Sequence, residues 1–306
     1  MKVLVTGAGG FVGREVVRRL LARGDEVTGL DSHGDAIPPA ARAIAGDLAD
    51  PAMRATALSG AVDAVVHLAT VPGGAAEADP DGAWRVDVDA THALMREAGE
   101  ARPRLRFVFA SSIAVFGEPL PAVVDDATPL SPRLLYGGHK AMMEQAVALY
   151  ANRGAIAGAS LRLPAVLARP PAPSGMKSAF LSDLFHAQRA GRPFACPVPA
   201  GGTVWAQSLA CCAANIVHAL SLDTALLPPT RAVTLPALRI VMADLAGEVA
   251  RQCGTSPELV TWGHDAALAA AFATQPPLAT PAAERAGFAH DGDLATLVAS
   301  ALSTLR

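Results

Sequence analysis

The sequence predicts an α/β fold, a doubly wound parallel sheet followed by a smaller C-terminal region, and three observations carry that prediction. Hydrophobic residues make up 51% of the chain and charged residues 17%, the balance of a globular protein with a sizeable core. In the first half, short apolar runs alternate with longer stretches of helical spacing, the pattern of β-α-β units with right-handed crossovers. The first apolar run also passes directly into a glycine-rich turn and then a helix.

Taken in order, Val3 to Val5, Glu26 to Leu30, Ala61 to Leu68 and Leu105 to Ala110 read as buried strands with apolar centres. Between them, Val16 to Gly24 has helical spacing and a glycine stop, and Asp81 to Ala101 reads as one long helix. After Leu163 the pattern changes, because seven prolines between Pro164 and Pro199 break any long element except a helix over Phe180 to Arg189. Helices follow at Ser208 to Ser221, Met242 to Cys253 and Asp293 to Leu305, with an extended stretch "RAVTLPA" among them. The reading is a nucleotide-binding part, residues 1–164, and a substrate-binding part, residues 165–306, of which about 206–236 return to the first part.

Net charge is −3 and the isoelectric point is near 6.2. Neither gives an electrostatic reason to expect nucleic acid or an anionic membrane as partner. Cys196, Cys211, Cys212 and Cys253 lack the C-x-x-C spacing of a zinc or redox site, and no metal is expected. Buried free thiols in a reducing compartment are the simple reading. The opening "MKVLVTGAGG" has too short an apolar run for a signal segment, and no apolar run of about 18 residues follows, so the expected location is the cytoplasm.

The strand "KVLVT" leads into "GAGGFVG", where Gly7, Gly10 and Gly13 have distinct tasks. Gly7 permits the tight turn, Gly10 lets a pyrophosphate approach the backbone, and Gly13 lets helix and strand pack closely, while the helix N-terminus favours phosphate charge. This is the Rossmann pattern for a dinucleotide. Asp31 ends the second strand 18 residues after Gly13. A carboxylate there accepts the adenosine ribose hydroxyls and repels a 2′-phosphate, and no cation follows until Arg42, so NAD is expected over NADP. Asp47, after the third strand, either reaches the adenine edge or caps the helix ahead of Pro51. "HLAT", His67 to Thr70, and "FASSIAVFG", Phe109 to Gly117, end the fourth and fifth strands at the edge where open α/β sheets bind ligands.

The stretch "YGGHK" is the sharpest signal. The chain has two tyrosines and three lysines, and a chance Tyr-x-x-x-Lys pair is expected only roughly 0.02 times. On a helix, Tyr136 and Lys140 share a face. The Lys140 ammonium there would stabilise the phenolate that makes Tyr136 a base, and would hold the nicotinamide ribose, while Ser112 aligns the reacting oxygen. Gly137 and Gly138 are read as keeping the first turn clear for substrate and cofactor.

These motifs, with "GDL" and "LRLPAV", resemble the extended short-chain dehydrogenases/reductases, the NAD-dependent epimerase/dehydratase family, over nearly the whole chain. The resemblance implies Ser112, Tyr136 and Lys140 as the catalytic set. It implies an NAD site through Gly7, Gly10, Phe11, Val12, Gly13, Asp31, Asp47, Leu48, Leu68, Ala69, Thr70, Tyr136, Lys140 and Pro164. Within the superfamily, "SSIAVFGEPLP", "YGGHKAMME", "CPVPAGGTVW" and "ERAGF" are similar to D-erythronate dehydrogenases and their sugar-acid relatives. That likeness implies oxidation of the 2-hydroxyl of a small aldonate, touched by Ser112, with Arg169, Lys177, His186 or Arg189 as the cation for its carboxylate. The family usually has Asn where this chain has Asp87, and Gly where it has Ala90. Two other readings remain open at this point: an NAD-retaining epimerase or dehydratase of a nucleotide-sugar, and a cofactor-binding protein without catalysis. The superfamily also implies a homodimer through a helix bundle.

Overall fold

The computed structural model describes residues 1–171 and 178–305. Its chain begins as the apolar pattern demands, with strand β1 (Lys2–Thr6), helix α1 (Phe11–Ala22), β2 (Glu26–Asp31), β3 (Arg42–Ala45), α2 (Pro51–Leu58) and β4 (Ala64–His67). Helices α3 (Gly73–Ala78) and α4 (Pro80–Trp84) then lead into α5 (Thr91–Ala101). The long helix expected over Asp81 to Ala101 is interrupted, because Arg85–Ala90 widen into a π-helical turn. Such turns add a residue to the helical repeat and occur often at functional sites.

Strand β5 (Leu105–Ser112), helix α6 (Leu135–Asn152), β6 (Ile156–Leu163) and β7 (Ala165–Val166) follow. Beyond them come α7 (Phe180–Arg189), β8 (Phe194–Cys196), β9 (Thr203–Gln207), α8 (Leu209–His218), β10 (Ala232–Thr234), β11 (Leu238–Val241) and α9 (Met242–Cys253). The chain ends with β12 (Val260–Trp262), α10 (Ala266–Phe272), α11 (Pro281–Arg285) and α12 (Leu294–Ser303).

The main sheet has seven parallel strands in the order β10-β6-β5-β4-β1-β2-β3. The chain winds outward in both directions from β1 and β4, so the strand order switches between them and leaves a crevice at their carboxyl ends. One face is covered by α1 and α8, through Val16, Val17, Leu20, Ala213 and Ile216. The other is covered by α2, α5 and α6, through Ala57, Leu94, Met95, Met143 and Val147. A second core, built from α7, α9, α12 and the small sheet β11-β9-β7, lies beyond β6. The segment after β9 passes back, since α8 packs on α1 and β10 pairs with β6 from Ala232↔Ser160 to Thr234↔Arg162.

Among the described residues, no helix is long and apolar enough to cross a membrane. All four cysteines are free, with Cys196 and Cys212 buried and Cys211 and Cys253 only partly so.

Candidate active site

Register sets the site. Thr6 pairs with His67, His67 with Phe109, and Ser112 with Leu163, so β1, β4, β5 and β6 end side by side at the crevice. His67 is fully buried and shares hydrogen bonds with the Thr6 hydroxyl at 2.7 Å and the Thr91 hydroxyl at 2.8 Å. Burial, and then the Lys140 charge, push its pKa down to about 3, so it is a neutral structural strut.

The glycine loop is packed as tightly as its spacing suggests. Gly7 sits at φ +68°, and a Cβ there would lie 2.7 Å from the Ala69 nitrogen. A Cβ on Gly13 would run into the Gly7 carbonyl oxygen. Gly10 is the N-cap of α1, so no side chain caps the helix, and no acidic residue stands in its first turn. Its first N–H groups therefore remain available to an anion. Asp31 accepts the Gly9 N–H and the His33 N–H, each at 2.9 Å, which fixes its carboxylate beside the loop. Uncapped donors for a pyrophosphate and a fixed carboxylate for a ribose together fit NAD.

Leu68, Ala69 and Thr70 continue from β4 next to this loop, and Pro164 is buried just after β6. Leu48 is buried in the core under α2. Asp47 accepts the Ala49 N–H at 2.9 Å and pairs with Arg85 at 2.9 Å, and these contacts hold it below the usual carboxylate range. The cap of α2 is Asp50, not Asp47, because Asp50 accepts the Ala52 N–H at 2.8 Å.

The start of α6 holds Tyr136 and Lys140, the residues expected to be catalytic. Glu77 of α3 accepts the Leu135 N–H at 2.8 Å and so caps the helix from outside. Gly137 presses α6 against β5's following turn, where a Cβ would run into the Ala114 carbonyl oxygen. The two glycines therefore differ from the expectation: Gly137 is a packing residue, and only Gly138 faces open space. Ser112 caps that turn by accepting the Ala114 N–H at 3.1 Å and stands beside the Tyr136 hydroxyl.

Burial pushes the Tyr136 phenol up to about 12, opposed by the Ser112 hydrogen bond; the charge of Asp87 adds to the rise and that of Arg169 opposes it. Lys140 is 3% exposed, and burial pushes it down to about 8 against the pull of Asp87 and Glu144. Its Nζ lies 4.8 Å from the centre of the Phe109 ring and 5.6 Å from that of Tyr136. Lys140 thus rides over the tyrosine face, and burial is the largest cause of the phenol's raised position.

One turn along, Glu144 accepts two Arg162 nitrogens, Nε at 2.9 Å and Nη2 at 2.7 Å, and the Ser111 hydroxyl at 2.5 Å. This buried clamp ties α6 to β5 and β6, the strands that end at Ser112 and Leu163. Nothing in the sequence singled it out, although Glu144 recurs at helical spacing from Lys140.

Of the three described cations expected for a substrate carboxylate, Arg169 is the one whose charge acts on the tyrosine. Arg169 lies over the Phe11 ring at 5.2 Å, and its charge acts on the Tyr136 phenol. Ala168 before it is buried at φ +58°, a left-handed conformation unusual for a residue with a Cβ and one that costs on the order of 1 kcal/mol. Among the described residues, the Arg169 guanidinium has no carboxylate partner. His186 bonds through Nε2 to the Arg169 carbonyl at 2.8 Å and so supports the segment from behind. Arg189 donates to the Leu302 carbonyl at 3.2 Å on the outer surface. Lys177 lies outside the described residues.

A seven-stranded Rossmann sheet, a glycine loop with an acid at the next strand end, and Ser, Tyr and Lys at the switch point define the class of NAD-dependent oxidoreductases. Residues 3–207 match the model of the NAD dependent epimerase/dehydratase family, and the chain belongs to that family. It is 36% identical over 310 residues to a D-erythronate dehydrogenase of Cupriavidus necator, covering 95% of this chain and 94% of that one. A D-erythronate dehydrogenase of Haemophilus influenzae is 30% identical, with 83% of each covered. Among solved structures, a nucleoside-diphosphate-sugar epimerase from Agrobacterium tumefaciens superposes with a TM-score of 0.88 at 26% identity, covering 97% of this chain and 92% of that one.

Proposed function

We propose that the protein oxidises the 2-hydroxyl of a small sugar acid, a D-erythronate-like aldonate, with NAD. The observation that carries this reading is the Arg169 guanidinium, which lies over the Phe11 ring beside the glycine loop and whose charge acts on the Tyr136 phenol. In a 2-hydroxy acid the carboxylate is bonded to the reacting carbon, so a cation is wanted within a few ångströms of the base. The match along 95% of the chain to a D-erythronate dehydrogenase supports the same substrate class.

NAD held on the glycine loop would supply the hydride acceptor and, in its oxidised ring, a positive charge beside the phenol. The chain's own groups do the rest. The first N–H groups of α1 hold the pyrophosphate, Asp31 the adenosine ribose, and Lys140 the second ribose. Ser112 donates to the reacting oxygen, Arg169 holds the carboxylate, and the Tyr136 oxygen takes the hydroxyl proton. A phenol raised to about 12 needs nearby positive charge to do this at neutral pH.

The test is NADH absorbance with NAD and a panel of C4 to C6 aldonates. Turnover of D-erythronate or a near stereoisomer is expected, with loss of turnover for the corresponding amide. The second reading, a nucleotide-sugar epimerase, draws on the Agrobacterium likeness, but "ARPPAPSGMKS" offers no asparagine after β6 for a nucleotide diphosphate. An epimerase retains its reduced cofactor, so NADH released freely from the protein separates the two.

We also infer a homodimer. Leu135, Met142 and Leu149 recur every seven residues along α6 and are exposed, as is Trp84 at the end of α4. An apolar stripe of this kind on neighbouring helices is suited to packing against its own copy.

A further inference from the structure

The buried clamp of Glu144 and Arg162 is a pair of charges that the reaction as described leaves unused. Glu144 of α6 is 1% exposed and Arg162 of β6 is 6% exposed. Arg162 donates through Nη2 to Glu144 Oε2 at 2.7 Å and through Nε to Oε1 at 2.9 Å, the forked geometry in which a guanidinium grips a carboxylate. Taking two charges this far from water is costly, and apolar side chains of similar volume often fill such a place with equal or better stability. Stability is therefore a poor account of the pair, and its neighbours supply a better one.

The chain is tied to this pair on both sides of Ser112. Immediately before Ser112, the Ser111 hydroxyl donates to Glu144 Oε1 at 2.5 Å. Immediately after the short turn Ile113–Val115, the Phe116 ring lies against the Arg162 guanidinium, with 5.3 Å from Cζ to the ring centre. Tyr136 and Lys140 stand two turns and one turn before Glu144 on the same helix. One ion pair therefore fixes the strand end that carries Ser112 against the helix that carries the other two groups. Trp205 of β9 stands edge-on to Phe116, with ring centres 6.4 Å apart, and its indole N–H donates to the Pro276 carbonyl at 2.7 Å. The stack thus runs on from Arg162 into the C-terminal segment.

We propose that Glu144 and Arg162 are positioning residues of the reaction, whose ion pair holds the Ser112 hydroxyl at the Tyr136 phenol. The proposal rests on the dehydrogenase reading above. Each residue acts through another group. Glu144 acts through the Ser111 hydroxyl and through α6, and Arg162 acts through the Phe116 ring.

The experiment removes the pair without leaving a lone charge. Glu144→Leu combined with Arg162→Met takes out one negative and one positive group together, so the denaturant midpoint should hold or rise. With the fold kept, kcat for the aldonate should fall by roughly 10–100-fold, the cost of a misplaced reacting group, while KM and NAD affinity hold. Ser111→Ala cuts one tie and leaves the ion pair in place. It should lower kcat about fivefold, the worth of one neutral hydrogen bond, and it decides the question if the double variant does not fold. A readout free of substrate comes from Tyr150→Phe, which leaves Tyr136 as the chain's single tyrosine. Labelled with 3-fluorotyrosine, that protein gives one fluorine resonance, and Ser112→Ala marks where it moves when the Ser112 hydroxyl is gone. The double variant and Ser111→Ala should both shift it toward that mark. A stable double variant with wild-type kcat overturns the proposal, as does a fluorine resonance that neither variant moves. So does a loss of kcat matched by an equal loss of NAD affinity, which makes the pair a support of the whole fold. A parent enzyme inert toward every aldonate overturns the functional reading alone, because the fluorine resonance still decides whether the pair holds Ser112 at Tyr136.

Discussion

The two walls of the crevice are built by opposite means. The nucleotide wall is backbone: Gly7, Gly10 and Gly13 remove side chains and leave the first N–H groups of α1 uncapped, with Asp31 as a fixed charge beside them. The chemical wall is side chain: Tyr136, Lys140 and His139 from α6, Asp87 from the π-turn and Arg169 from the segment after β7 come from three different parts of the chain. A backbone site needs the right residues absent, whereas a site of buried charges needs every partner present, so the two should fail in different ways.

The largest effect expected is on the chemical wall. Tyr136→Phe should lower kcat by roughly 10²–10⁴-fold while NAD affinity, read by fluorescence or calorimetry, stays within about twofold. If turnover and NAD affinity fall together, the walls are not separable. Acid should act next, through the strut between them. The folded-state pKa of His67 lies below its unfolded value, so the folded form binds fewer protons between them. Its contribution is full above about pH 6.5 and is lost as pH falls toward about 3, by a few kcal/mol. Denaturant melts of His67→Gln should show a flatter pH dependence over that window.

Arg169→Leu should raise KM for the aldonate by roughly 10–100-fold, the worth of a charged hydrogen bond, with KM for NAD unchanged. An equal loss with a neutral polyol would break its assignment to the carboxylate. The smallest effect belongs to Gly138, which faces open space in the first turn of α6. Gly138→Ala should stabilise the helix by up to about 1 kcal/mol. Lower turnover with raised stability would mark that space as one the ligands fill.

The nucleotide wall was legible because its residues are close in sequence and their spacing is its geometry: a strand, three glycines, and an acid at the next strand end. Tyr136 and Lys140 were legible for the same reason, being four apart on one helix. What stayed hidden depends on tertiary contacts. Asp81 to Ala101 has an unbroken helical pattern, and the π-turn arises where Thr70 and Val71 hold Asp87 inward. Arg169 reaches the tyrosine by way of the left-handed Ala168, which no local pattern announces. The role of Gly137 was misjudged because its close neighbour, Ala114, belongs to another element.

The return of the chain after β9 has a mechanical consequence. Between Gln207 and Leu238 the polypeptide leaves the small sheet, lays α8 on α1, adds β10 to the edge of the main sheet and goes back into β11. The two bodies are therefore stitched together by several passages of covalent chain where a single linker would have acted as a swivel. Any opening and closing of the crevice is confined to a shallow flexing about that seam, and cutting the chain after β6 would strip the main sheet of its outermost strand.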